Sequence, residues 1–116
     1  MTEVEGAADM NTAAIVVIAT LDTKGPEAAF VVRQIEAGGY QALILDTGIT
    51  PNTDPAAPVP SITSDAIAAE VGESREDLAS RMSEQDTRDR WIRAMAAGSA
   101  KVLKTLHAEG RVAGVI

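Results

Sequence analysis

The chain has 116 residues and a formal charge of −7 at pH 7, which is enough chain for one compact domain. Its hydrophobic content of 46% and charged content of 23% are those of a globular protein, and the acidic balance opposes binding to nucleic acid or to an anionic membrane. Cysteine is absent and histidine occurs once, which argues against disulfides and against zinc, haem and iron–sulfur sites.

Residues 1–12 mix acidic residues with Gly and Asn and show no periodicity, which predicts a flexible leader ahead of a domain at 13–116. The leader is acidic rather than basic. The first apolar run, Ala13–Ala19, is far shorter than the roughly 20 residues that span a bilayer. We therefore expect a cytoplasmic protein that does not enter a membrane.

The first elements predict a βαβ unit. The run Ala13–Thr20 is apolar and β-branched without alternation, which is typical of a strand covered on both faces. After a predicted loop at Leu21–Gly25, Pro26 suits the first turn of a helix, and Gly38–Gly39 supplies a left-handed stop. Ala42–Asp46 predicts a second buried strand, so the sheet is expected to be parallel.

The middle of the chain predicts a long loop and then short helices. The loop at 47–64 carries four of the five prolines, and a loop of this length in a compact domain is typical of a functional or moving segment. Ser64–Val71 predicts a short helix that Gly72 ends. Ser74 opens a capping box for another helix.

A long helix is predicted from about Ser83 to Glu109, and a third strand at Val112–Ile116 whose outer edge is expected to be exposed. Within the helix, the small residues Ala96–Ala100 predict close approach to another backbone. The fold class is therefore α/β, a three-layer Rossmann-like parallel sheet flanked by helices, in a domain that we expect to be incomplete. One side of the long helix is expected to carry the apolar residues Trp91, Ile92, Met95, Val102, Leu103 and Leu106.

Open parallel sheets bind ligands beyond the carboxyl ends of their strands. This rule predicts a site where Asp22-Thr23-Lys24-Gly25 and Asp46-Thr47-Gly48 emerge side by side. Thr23, Lys24 and the amides of the following helix turn are candidates to hold a small phosphate group. Asp46 ends its strand where a carboxylate often accepts ribose hydroxyls. The candidate binding residues are Asp22, Thr23, Lys24, Gly25, Asp46 and Gly48.

The same residues also have a purely structural interpretation. Asp22 or Thr23 is a candidate cap of the helix, and Asp46 a candidate turn residue. Neither a GxGxxG nor a GxxxxGK[ST] motif is present, so standard dinucleotide and P-loop sites lack support. No Ser–His–Asp arrangement can be argued from the one histidine, and we assign no catalytic residue and no metal ligand.

Four segments together resemble a known family. They are Ala19–Gly25 (ATLDTKG), Leu43–Gly48 (LILDTG), Ala94–Gly98 (AMAAG) and Ala108–Ile116 (AEGRVAGVI). They resemble the amino-terminal part of an uncharacterised protein family that is related to a plant tobamovirus-resistance protein and is described as ATP-binding. The strand–DTKG–helix opening is the most specific part of the resemblance.

The resemblance implies a larger two-domain α/β protein, with this chain as the first part of its nucleotide-binding domain. It implies that the Asp22-Thr23-Lys24 loop borders a site for ATP with Mg²⁺, and that members self-associate as homo-oligomers. In the family, the strand matching Gly114–Ile116 leads into a glycine- and serine-rich phosphate loop, so binding by this chain alone is expected to be weak or absent. Asp89 and Trp91 stand where smaller residues are expected.

Two other functions stay open beside a non-catalytic nucleotide-binding module. The long helix and the last strand are a possible surface for protein interaction or self-assembly, since bare strands recruit partners. The other function is that of an enzyme that acts on a small phosphorylated or carboxylated compound, with Asp22 or Lys24 as its acid–base group. We expect no catalysis by this chain alone.

Overall fold

The computed structural model describes residues 13–51 and 54–116. Along the chain the elements are β1 (Ala14–Ala19), α1 (Leu21–Ala37), β2 (Ala42–Asp46), α2 (Ser64–Ala69), α3 (Arg75–Ser80), α4 (Thr87–Ala108) and β3 (Val112–Val115). β1 lies between β2 and β3 and pairs in parallel with both. The predicted α/β class with a parallel sheet is confirmed. The predicted leader at residues 1–12 lies outside the described residues.

Successive residues of the central strand face opposite layers. Val16 packs with Leu45 in a core shared with α2, α3 and α4, whereas Val17 packs with Ile44 beneath α1. Because β1 has a helical layer on each face, both sets of its side chains are apolar. This explains why the strand lacks the alternation of a half-exposed strand.

α1 begins earlier than the sequence predicts. The predicted loop at Leu21–Gly25 is wrong, because Leu21 opens a helical turn. Lys24 then has non-helical angles (φ −125°, ψ 27°), and this bend separates the turn from the main helix. Pro26 explains the bend, since its ring would clash with the Asp22 carbonyl of an unbroken helix and it lacks the N–H to bond it. The predicted left-handed stop is confirmed at Gly39, where φ is 88°.

α4 begins later than predicted, at Thr87, because residues 81–86 form successive turns. Trp91, Met95 and Leu106 are buried in the core as expected. Ile92 is not part of this face and is 56% exposed. It lies about 100° around the helix from Trp91, which carries it away from the sheet.

β3 is an edge strand, so the expected exposure of the last strand is confirmed. Its residues alternate between half-buried and exposed, and no other strand of the described sheet lies along its outer edge. Val115 and the following Ile116 are 49% and 63% exposed. A strand with a neighbour on one side only is covered less completely than β1, which lies in the centre.

The predicted close approach within Ala96–Ala100 is confirmed at Gly98. A Cβ added to Gly98 would overlap the Ile67 carbonyl oxygen and would lie 2.7 Å from Ile67 Cγ2. The absence of a side chain at Gly98 therefore lets α4 approach the end of α2. Ile67 is itself fully buried, so it has little room to move aside.

We expect Gly98→Ala to lower the free energy of unfolding by roughly 1–2 kcal/mol, because overpacking costs more than the gain in helix propensity returns. Urea unfolding followed by circular dichroism measures the change. Ala97→Gly, at the exposed neighbouring position, is the control and should cost about 1 kcal/mol through propensity alone. A more stable Gly98→Ala chain would contradict the close packing of α2 and α4.

Candidate functional site

The loops after β1 and β2 lie side by side at the carboxyl edge of the sheet, as the sequence predicts. Asp22 Oδ2 accepts hydrogen bonds from the N–H of Thr50 (3.2 Å) and from its hydroxyl (3.0 Å). The N–H of Leu21 donates to Asp46 Oδ1 (3.1 Å). These bonds fix the first turn of α1 against the segment that follows β2. Asp22 Oδ1 receives no hydrogen bond from the described residues.

Asp46 is a buried structural residue at the end of β2, 5% exposed. Its Oδ1 also accepts the N–H of Gly48 (2.8 Å), so the predicted turn at Asp46 is confirmed. The same oxygen satisfies an N–H at the start of α1, where Thr20 is the N-cap residue and its side chain makes no capping bond. The alternative prediction that Asp22 or Thr23 caps the helix is therefore wrong, because the capping carboxylate comes from β2.

Burial raises the pKa of Asp46 above its ordinary value of 3.8. The hydrogen bonds from the N–H groups of Gly48 and Leu21 oppose this rise, and the negative charges of Asp22 and Asp65 add to it. The edge of the sheet therefore concentrates negative charge, which repels an approaching anion unless a cation accompanies it.

Two glycines allow close contacts at this edge. A Cβ on Gly48 would lie 2.7 Å from Asp22 Oδ1 and 3.1 Å from Asp46 Oδ1, so a side chain here would force the carboxylates away. A Cβ on Gly25 would lie 2.6 Å from Ala57 Cβ. Gly25 is thus the place where the proline-rich loop packs against α1.

Thr23 and Lys24 are exposed. Their backbone N–H groups both donate to the Thr20 carbonyl, at 3.2 and 2.8 Å, so these two amides already have partners. Lys24 Nζ lies 3.9 Å from Glu27 Oε2 in a solvent-exposed pair. Such pairs contribute little energy, which leaves the lysine able to turn toward a ligand.

A cavity of about 540 Å³ opens beside the two carboxylate loops, where Thr20 and Thr47 line it. We call it the Trp91 groove. Most of its remaining lining is apolar, and one residue is cationic. The residues are Ile49, Met82, Arg88, Trp91, Ile92 and Met95.

A second cavity, of about 490 Å³, lies under the proline-rich loop, and Asp46, Asp65 and Arg75 help to line it. Arg75 bonds Asp65 Oδ1 (2.8 Å) and the Ile49 carbonyl (2.9 Å). It therefore ties the segment after β2 to the start of α2.

Sequence reasoning missed Thr50, Arg75 and Arg88 as neighbours of the site. Thr50 reaches Asp22 across 28 positions, and Arg75 reaches Ile49 across 26. No local pattern signals either contact. Met82, Arg88 and Trp91 line the groove because the turns before α4 bring separate segments together, and the sequence signal from Trp91 was only that of a core residue.

Across residues 13–51 and 54–116 no group of three or more His, Asp or Glu side chains is arranged to hold a metal ion. In the same part of the chain, no helix combines the length and the apolar character that crossing a membrane requires.

We expect Asp46→Ala to lower the free energy of unfolding by about 2–4 kcal/mol, because two N–H groups in a buried region lose their acceptor. Asp46→Asn keeps an oxygen acceptor and removes the buried charge. At about pH 7 it should therefore be as stable as the unaltered chain or more stable. Urea unfolding measures both variants, with Glu36→Gln, exposed in the last turn of α1, as the control.

The pH dependence of this difference has a definite sign. Because the folded-state pKa of Asp46 is raised, the folded chain holds that proton more tightly than the unfolded chain does. Its contribution to stability is present below pH 3.8 and is lost as the pH rises through the raised folded value. Any gain in the free energy of unfolding from Asp46→Asn should thus appear near neutral pH and vanish below pH 3.8. A difference that is constant with pH would contradict a buried charge at Asp46.

The chain is similar to proteins of one uncharacterised family. Residues 13–116 match the family model described as the N-terminal domain of an uncharacterised protein family, UPF0261. A UPF0261 protein of Clostridium tetani (strain Massachusetts / E88) is 32% identical over 102 residues, which cover 88% of this chain and 24% of that protein. The chain thus spans about a quarter of the length of this curated relative. No solved structure gives a significant match. The resemblance to an uncharacterised family is confirmed, and its relation to a plant tobamovirus-resistance protein stays a prediction.

Proposed function

Because the chain belongs to the uncharacterised UPF0261 family and matches the N-terminal domain of that family, we propose that it is part of a non-catalytic nucleotide-binding module. The proposed ligand of this module is ATP with Mg²⁺. One observation carries the proposal. Asp22 and Asp46 stand around Gly48 at the carboxyl ends of two neighbouring parallel strands, which is where sheets of this class bind ligands. The choice of ATP rests on the family resemblance of the ATLDTKG and LILDTG segments.

The connectivity of the sheet supports this location. The chain passes from β1 to β2 on one side and then crosses to β3 on the other side of β1. In open parallel sheets a ligand crevice lies where successive connections diverge in this way. Thr20, directly after β1, lines the Trp91 groove at this point.

The acidic surroundings favour a nucleotide that carries a metal ion over a free anion. Mg²⁺ commonly binds one or two protein carboxylates, several waters and the phosphates of its substrate. Asp22 fits this role better than Asp46, because Asp46 is buried whereas Asp22 is only half-buried. Lys24 is placed to add a positive charge beside the phosphates.

Location in the cytoplasm, where a nucleotide ligand is abundant, and self-association as a homo-oligomer are both part of this proposal. The exposed side chains of Val115 and Ile116 on the edge strand support a second interaction surface, since an uncovered strand edge is a template for pairing. This surface lies on β3 and does not use the carboxylates.

We expect ATP with Mg²⁺ to bind saturably, at roughly millimolar affinity, and to shift the amide NMR signals of residues 21–25 and 47–50. ATP without Mg²⁺ should shift them far less, because the carboxylates repel the phosphates. Asp22→Asn should weaken binding by about tenfold or more, since it removes a carboxylate ligand of the metal.

Glu36→Gln is the matched control, because it removes one negative charge at the far end of α1. It should leave the affinity for ATP unchanged. Equal affinities for the unaltered chain and Asp22→Asn would overturn the proposed nucleotide site.

A further inference from the structure

The Trp91 groove has the size and lining of a small-molecule site. Its volume of about 540 Å³ lies within the range of roughly 300–1,000 Å³ that is usual for such sites. Trp91 and Met95 are 8% and 6% exposed and belong to the core, whereas Ile92 is 56% exposed at the opening. Trp91 is held in place by the core, so the part of its indole that lines the groove can contact a ligand at low entropic cost.

Arg88 gives this apolar groove a positive charge. It makes no ion pair and no side-chain hydrogen bond within the described chain, although acidic residues outnumber basic ones by 17 to 10. It also lies in the first turn of α4, where the helix dipole disfavours a cation. An exposed guanidinium beside apolar surface is available to pair with an anion from outside the chain.

We propose that the Trp91 groove binds a small organic anion with a flat aromatic body. The anionic group pairs with Arg88, and the aromatic body packs between Trp91 and the two methionines, Met82 and Met95. Thioether sulfur makes favourable contacts with aromatic rings, and the charge of Arg88 selects an anion over a neutral compound of the same shape. The groove opens at the same edge of the sheet as the proposed nucleotide site, but its proposed contacts use neither Asp22 nor Mg²⁺.

The chain provides its own reporter for this site, because Trp91 is its single tryptophan. The probe is 1-anilinonaphthalene-8-sulfonate, an aromatic anion whose naphthalene ring system is flat. Its neutral counterpart is N-phenyl-1-naphthylamine, which has the same rings without the sulfonate. We expect the sulfonate to quench Trp91 fluorescence saturably, with one molecule bound per chain and an affinity about tenfold above that of the neutral compound.

Two surface variants test the contacts without disturbing the core. Arg88→Gln should weaken binding of the sulfonate about tenfold and leave binding of the neutral compound unchanged. Arg93→Gln, exposed on the same helix and outside the groove lining, should change neither. Ile92→Asn removes apolar surface at the opening and should weaken both compounds.

Three results would overturn the proposal. The first is equal affinity for the sulfonate and the neutral compound. The second is an Arg88→Gln chain that behaves as Arg93→Gln does. The third is a dimer by light scattering whose Trp91 fluorescence does not respond to either probe, because a second copy of the chain would then cover the groove.

Discussion

The Asp46 carboxylate joins the end of β2 to the first turn of α1. One oxygen accepts the N–H groups of both Leu21 and Gly48, and it does so in a buried position where its charge is costly. Through these bonds the loops after the two strands keep a fixed relation, with Asp22 held beside Gly48. The proposed ligand site depends on this arrangement. The mouth of the Trp91 groove depends on it as well, because Thr20 and Thr47 line that groove.

Much of the fold could be predicted from local sequence because its causes are local. The apolar run of β1 reports a strand buried on both faces, and the bounds of β2 agree with the predicted Ala42–Asp46. The start of α1 could not be predicted in the same way. Its first turn is stabilised by a carboxylate 25 positions away, so a sequence that looks like a loop becomes helical.

The candidate site shows the same division. The sequence correctly predicted that Asp22 and Asp46 lie at one edge of the sheet, because neighbouring parallel strands have their carboxyl ends at the same edge. It did not assign their roles, since Asp22 or Thr23 was the predicted helix cap and the structure gives that function to Asp46. The Trp91 groove could not be predicted from the sequence. Met82, Arg88 and Trp91 line one cavity with Ile49 only in the folded chain, after the chain has crossed the sheet. Apolar residues on a helix carry the same signal whether they face a core or a cavity.

The most direct test of the role of Asp46 is an NMR titration of its side-chain carboxyl carbon together with the amide protons of Leu21 and Gly48. If one buried carboxylate holds both amides, all three signals should move with a single midpoint that lies above 3.8. A midpoint at or below 3.8, or amide protons that do not respond when the carboxyl group titrates, would contradict this role of Asp46.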